Sequence, residues 1–161
     1  MSVRSDTELL GKTPLFADVD PVQLQVLVFS AERLEIAAGE TLIAPGNLVG
    51  AGYLVLDGQG EVLTASDGKG DALEPIALVE SGAFVGERAM IANLPVSMAV
   101  RARTPLRVLR IGHELFLRVC GEFPEIGDKV MEALAQRLET SLEDLRVVQA
   151  HFDRARPFSD S

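Results

Sequence analysis

Gly82-Ala83-Phe84-Val85-Gly86-Glu87-Arg88-Ala89-Met90-Ile91-Ala92-Asn93-Leu94-Pro95-Val96-Ser97-Met98-Ala99-Val100-Arg101-Ala102 is the most informative stretch of this 161-residue chain. Gly86 lets the backbone turn sharply or approach a ligand closely. The pattern Glu87 to Ile91 predicts one short helical turn. The start of such a turn presents N–H groups that suit a phosphate. Glu87 is an acceptor for a sugar hydroxyl, and Ser97 can donate to a phosphate oxygen. Each residue also has a purely structural reading. Glu87 can cap the turn or pair with Arg88 or Arg101, Arg88 can face solvent, and Ser97 can bond a neighbouring backbone group.

Around this stretch, from Leu34 to Ile111, glycines are frequent and separate short apolar or alternating runs: 41–43, 53–56, 62–64, 76–79, 98–102 and 106–111. Several short strands with turn signals between them predict a sandwich, roll or barrel. Asp57-Gly58 and Asp67-Gly68 are turn dipeptides that tolerate positive φ. Alternation along the runs places Leu42, Tyr53, Val55, Val62, Ile76, Leu78, Val100 and Leu109 in the interior of the roll.

The flanks follow a helical period. Leu9 and Leu10 open a short helix ending near Gly11. Asp20-Pro21-Val22-Gln23 reads as a cap, a first-turn proline and a capping-box partner, so a helix is expected over 21–30. Glu114 to Val119 predicts a further helix stopped by Gly121. Pro124 opens a longer one to about Phe152, with Ile126, Val130, Leu134, Leu138, Leu142 and Leu145 at helical spacing. The expected organisation is therefore α+β: a disordered start over 1–8, one domain over 9–152, and a disordered tail over 153–161.

Composition narrows the function. Hydrophobic residues make up 47%, and 24 acidic side chains face 15 basic ones for a net charge of −9. That balance argues against direct DNA or RNA binding, which needs a local excess of Lys and Arg. No apolar run approaches the ~20 residues that span a bilayer, and the N-terminus carries no signal-peptide pattern. The single cysteine, Cys120, fits a reducing, cytoplasmic setting. His113 and His151 lack acidic or thiol partners at metal-ligand spacing, so neither a zinc site nor a metal-dependent cupin-type enzyme is expected. Gly11-Lys12-Thr13 lacks the rest of a P-loop. No nucleophile–base constellation is supported by spacing, so the chain reads as a non-enzyme with no catalytic residues.

The stretch 82–102 closely resembles the phosphate-binding cassette of the cyclic-nucleotide-binding domain family. In that family a Gly-x-x-Phe-Gly-Glu-Leu-Ala-Leu-Leu run is followed by Pro-Arg-Ala-Ala-Thr-Val. Gly82, Gly86, Glu87, Ala89, Met90, Ile91, Pro95 and Val100 fall into register with it. Leu15 to Pro21, Ala38 to Ile43, Pro45-Gly46-Asn47, and Tyr53 to Val62 resemble the family's segments in the same order, so the likeness runs from about Leu9 to Leu142. It implies a β-roll of about eight strands between N-terminal helices and a long C-terminal helix. The implied ligand is cAMP or cGMP. The implied contacts are Val85, Gly86, Glu87, Arg88, Ala89, Val96, Ser97 and Met98, with Thr140 and Ser141 toward the base.

The departures from the family pattern shape the expected function. Val96 stands where the family has the arginine that pairs with the cyclic phosphate. Val85 replaces the cassette phenylalanine, Ala99 the threonine, and Met98 an alanine. Arg88 is a candidate substitute cation. The implied function is a stand-alone regulatory sensor with weak or altered cyclic-nucleotide binding. Residues 153–161 are too few to hold a DNA-binding domain after the long helix. Output then passes through an unknown protein partner or through homodimerisation along helix 124–152. The alternative is a ligand-blind interaction or assembly module with the same fold.

Overall fold

A computed structural model of the chain describes residues 2–44, 50–65, 73–94 and 98–136. In chain order the elements are α1 (Val3–Gly11), α2 (Pro21–Ser30), β1 (Glu32–Ile36), β2 (Thr41–Ile43), β3 (Ala51–Asp57), β4 (Gly60–Ala65), β5 (Leu73–Val79), β6 (Phe84–Val85), α3 (Glu87–Ala92), β7 (Ala99–Ala102), β8 (Leu106–Gly112), α4 (His113–Glu122) and α5 (Pro124–Gln136). The eight strands form two four-stranded sheets, ordered β1-β8-β3-β6 and β2-β7-β4-β5. All pairings are antiparallel. This is the α+β β-roll with helices at both ends that the sequence predicts.

The two sheets enclose one apolar layer. Tyr53, Val55, Val85 and Val108 from the first sheet meet Ile43, Val62, Val79 and Val100 from the second. The other face of the first sheet is also covered. Leu54, Leu56, Leu109 and Ile111 pack there against Leu10, Phe16, Leu24, Leu27, Phe116, Ile126 and Val130 of the helical segments. β3 therefore needs apolar side chains on both faces, and this is why Tyr53-Leu54-Val55-Leu56 is a continuous run instead of an alternating one. Of the expected interior residues, Tyr53, Val55, Val62 and Val100 are buried between the sheets, and Leu42 is half-buried against them. Leu109 is buried on the helix side instead.

Two expectations fail on β5. Ile76 is 59% and Leu78 50% exposed. The register sets Ala77 opposite Val62 and Leu78 opposite Glu61. Side chains alternate, so Ile76 and Leu78 take the face opposite the buried Val79, pointing outward. No helix covers that face of the second sheet among the described residues.

Local signals explain the helix ends. The Asp20 carboxylate accepts from the Val22 N–H at 2.9 Å, and Pro21 occupies the first helical position. Gln23 does not complete the expected capping box; its Oε1 is buried without a hydrogen-bond partner among the described residues. α1 begins at Val3, ahead of the expected start at Leu9. Ser2 and Ser5 cap it reciprocally, with 3.1 Å bonds in both directions. Asp6 of α1 is buried and accepts from the Arg33 Nε–H at 3.0 Å, which ties α1 to β1. α4 runs through the expected stop at Gly121 to Glu122, and Phe123 is its C-cap. The turn at 57–60 carries the chain from one sheet to the other, so Tyr53 to Val62 is not a hairpin: β3 and β4 lie in different sheets. The turn at Asp67-Gly68, the helical residues expected beyond Gln136 and the tail 153–161 lie outside the described residues.

This two-faced burial has a measurable consequence. Leu109→Ala should cost about 2–5 kcal/mol, whereas Ile76→Ala should change stability by no more than about 0.5 kcal/mol. Urea unfolding followed by circular dichroism checks both.

Candidate functional site

The site is built where β6 hands over to α3. Gly86 is the N-cap of α3 and sits in the left-handed region at φ 82°, ψ 24°. A β-carbon there would stand 2.9 Å from the Ala51 carbonyl oxygen and 3.4 Å from the Gly52 Cα. Glycine is thus required twice, by the dihedral and by the close approach to β3. The Gly86 carbonyl then accepts from the Met90 N–H at 3.1 Å, opening the helix. No side chain caps α3. The helical pattern places the N–H groups of its first turn outside its own ladder, a geometry that suits an anion.

The rest of α3 is anchored by burial. Ala89, Met90, Ile91 and Ala92 are at most 1% exposed. The Phe84 ring lies edge-on to Phe16, with centroids 5.6 Å apart, and occupies the space beside Gly52. A β-carbon on Gly52 would come within 2.7 Å of the Phe84 ring. Gly52 and Phe84 are therefore part of the scaffold that sets Gly86, and the sequence carried no local signal linking them. At the other end of α3, Asn93 is left-handed at φ 56°. The Met90 carbonyl lies 2.7 Å from His113 Nδ1. A carbonyl can only accept, so Nδ1 carries the hydrogen. The His113 backbone N–H donates to the Gly50 carbonyl at 2.7 Å. α4 is thus tied to both α3 and the start of β3.

The structure brings Val85, Gly86, Glu87, Arg88 and Ala89 together as one continuous turn. Val85 is 8% exposed and points into the layer between the sheets, with Ile43 next to Gly86. Glu87 and Arg88 are half-buried and both make polar or ionic contacts. Arg101, a considered partner for Glu87, pairs with Glu61 at 3.1 Å. Met98 precedes β7 and is 37% exposed. Val96, Ser97, Thr140 and Ser141 lie outside the described residues. Among the described residues no group of three or more His, Cys, Asp or Glu could hold a metal ion, and no helix is long and apolar enough to cross a membrane.

A cyclic nucleotide-binding domain family model matches residues 33–123, more than half of the chain. The chain therefore belongs to the cyclic nucleotide-binding domain family. The N-terminal domain of a transcriptional regulator from Streptomyces coelicolor superposes with a TM-score of 0.73 at 26% identity, over 84% of this chain and 95% of that one. A cAMP-dependent protein kinase regulatory subunit of Emericella nidulans is 26% identical over 73% of this chain and 27% of its own length. An uncharacterized NTE family protein of Mycobacterium bovis is 30% identical over 82% of this chain and 22% of its own length. The chain thus spans about a quarter of the length of the curated relatives it matches.

The dependence on glycine at position 86 is testable. Gly86→Ala forces a left-handed alanine against the Ala51 carbonyl and should cost about 1–3 kcal/mol, measured by urea unfolding. Gly39→Ala is the contrast. It shares the positive φ, at 87°, but a β-carbon there meets nothing within 4 Å, so its cost should be smaller.

Proposed function

We propose that this chain is a cyclic-nucleotide sensor domain that binds cAMP or cGMP at the start of α3, weakly, and passes the signal to a protein partner or to its own dimer state. The observation that carries this reading is Gly86, held left-handed against β3 so that an uncapped helix start follows it, with a glutamate in first position. An anionic phosphate suits those N–H groups, and the Glu87 carboxylate suits a ribose hydroxyl. Family membership and the kinase-regulatory relative support the choice of ligand.

The affinity follows from one substitution. Val96 occupies the position of the family's cassette arginine, so a full cation is missing from that place in the sequence. A hydrogen bond to a charged group contributes about 1.5–3 kcal/mol, and its loss weakens binding roughly 10- to 100-fold. Arg88, half-buried one residue after Glu87, is the candidate to recover part of that loss. Ser97, Met98, Thr140 and Ser141 complete the proposed contacts. Dimerisation is proposed along the helix that starts at Pro124, through Leu138, Leu145 and Val148. The protein is read as non-enzymatic and cytoplasmic, with the buried Cys120 as a reduced thiol.

The missing arginine also favours a second reading, a ligand-blind interaction module. Isothermal titration with cAMP and cGMP separates the two. The sensor reading expects weak, saturable binding that Val96→Arg tightens about tenfold or more, near 1.4 kcal/mol, and that Glu87→Ala abolishes. If neither wild type nor Val96→Arg binds any cyclic nucleotide, the ligand-blind reading replaces it. Light scattering tests the dimer: paired replacement of Leu138 and Leu145 by glutamate should yield a monomer. A wild type already monomeric at tens of micromolar would remove that part of the proposal.

A further inference from the structure

Tyr53 is the single tyrosine of a chain that has no tryptophan. It lies on β3 and is only 6% exposed. In the ladder between β3 and β6 it stands opposite Val85, the residue just before Gly86. Residues directly opposite in an antiparallel pair send their side chains to the same face, with β-carbons about 4.5–5.5 Å apart. Both side chains belong to the layer between the sheets, which they share with the aliphatic Ile43, Val55, Val100 and Val108. Ile43 also reaches the cassette turn: its Cδ1 lies 3.5 Å from the place of a Gly86 β-carbon. Tyr53 is therefore ranged along the inner wall of the candidate site. Its hydroxyl has no hydrogen-bond partner among the described residues. Burying a hydroxyl without a partner costs free energy. A phenylalanine would fill the same space without that cost, so the hydroxyl calls for a partner from outside the chain.

We infer that the Tyr53 hydroxyl is a further ligand contact of the proposed nucleotide site, donating a hydrogen bond to an oxygen of the cyclic phosphate. The inference rests on the sensor reading and deepens it. On that reading the turn that follows Val85 receives the phosphate, so a group beside Val85 meets that end of the nucleotide and not the base. A phenol is a neutral donor. It restores part of the hydrogen bonding that an arginine at position 96 would give, and none of its charge. The bond also ties the ligand to β3, the strand against which Gly86 is pressed, so the phosphate is held from both sides of the turn.

The test is a cAMP titration of the full chain, isotope-labelled at tyrosine Cζ. With one tyrosine the spectrum holds a single such signal, and its position responds to the hydrogen bonding of that hydroxyl. The signal should move saturably, with the dissociation constant that the amide shifts of Gly86 to Ala89 give. Tyr53→Phe keeps the ring and should weaken cAMP binding about three- to tenfold, as expected for one neutral hydrogen bond. Should that variant disturb the roll, the Cζ signal of the unaltered chain decides the matter. Saturable amide shifts at 86–89 beside an unmoved Cζ signal, or with unchanged affinity in a folded Tyr53→Phe, would overturn the tyrosine contact and leave the nucleotide site standing. Amide and Cζ signals that all stay unmoved at millimolar cAMP would overturn both.

Discussion

The site depends on the 2.9 Å gap between the Ala51 carbonyl oxygen and the place of a Gly86 β-carbon, which leaves no room for a side chain there. That constraint is met by β3 lying directly behind Gly86, and β3 is held there by burial on both faces. Tyr53 and Val55 enter the layer between the sheets, while Leu54 and Leu56 enter the layer under the helices. A strand clamped between two apolar layers offers a rigid surface on which a left-handed glycine can be pressed. The same clamp positions Phe84, whose ring takes the space a side chain at position 52 would fill and reaches Phe16. The segment between α1 and α2 is thereby in contact with the residues just ahead of the site.

The far end of α3 extends that chain of contacts. Met90 and Ile91 are fully buried in the layer that also holds Phe116 of α4 and Val130 of α5. The His113 ring bonds the Met90 carbonyl, and the His113 amide bonds Gly50 beside β3. α3 therefore cannot shift without disturbing either the helical layer or these two hydrogen bonds. A ligand that changes the preferred position of α3 has a direct mechanical route to α4. A ligand-driven shift requires differential affinity for the two positions. On the proposed sensor reading, that affinity comes from backbone N–H groups and from the charge of Arg88, since Val96 carries none.

Much of this was legible in the sequence, for local reasons. Asp20-Pro21 marks a helix start by chemistry confined to two residues, and Gly86-Glu87 marks another. The Ser2–Ser5 cap is less legible, because a serine at the third helical position is a weaker signal than glutamate. The phase of β5 was not legible, since Ile76-Ala77-Leu78-Val79 is apolar throughout and either alternation fits it. Only the pairing with Glu61 and Val62 decides which face turns inward. Gly52 was equally silent, because its need for a missing side chain comes from Phe84, more than thirty residues away. Burial of Leu109 is legible in its apolar run but its layer is not, because β8 is covered on both faces. Of the candidate ligand contacts, Val85 to Ala89 form one turn, as their adjacency required. Val96, Ser97, Thr140 and Ser141 lie beyond the described residues.

The central claim is that the start of α3 is where a cyclic nucleotide acts. Backbone amide spectra of the whole chain recorded across a cAMP titration test it most directly. The account predicts that the largest shifts fall on Gly86, Glu87, Arg88 and Ala89, with smaller ones following along α3 to His113. Shifts that are absent at saturating nucleotide, or that fall elsewhere while Gly86 to Ala89 stay unmoved, would contradict it.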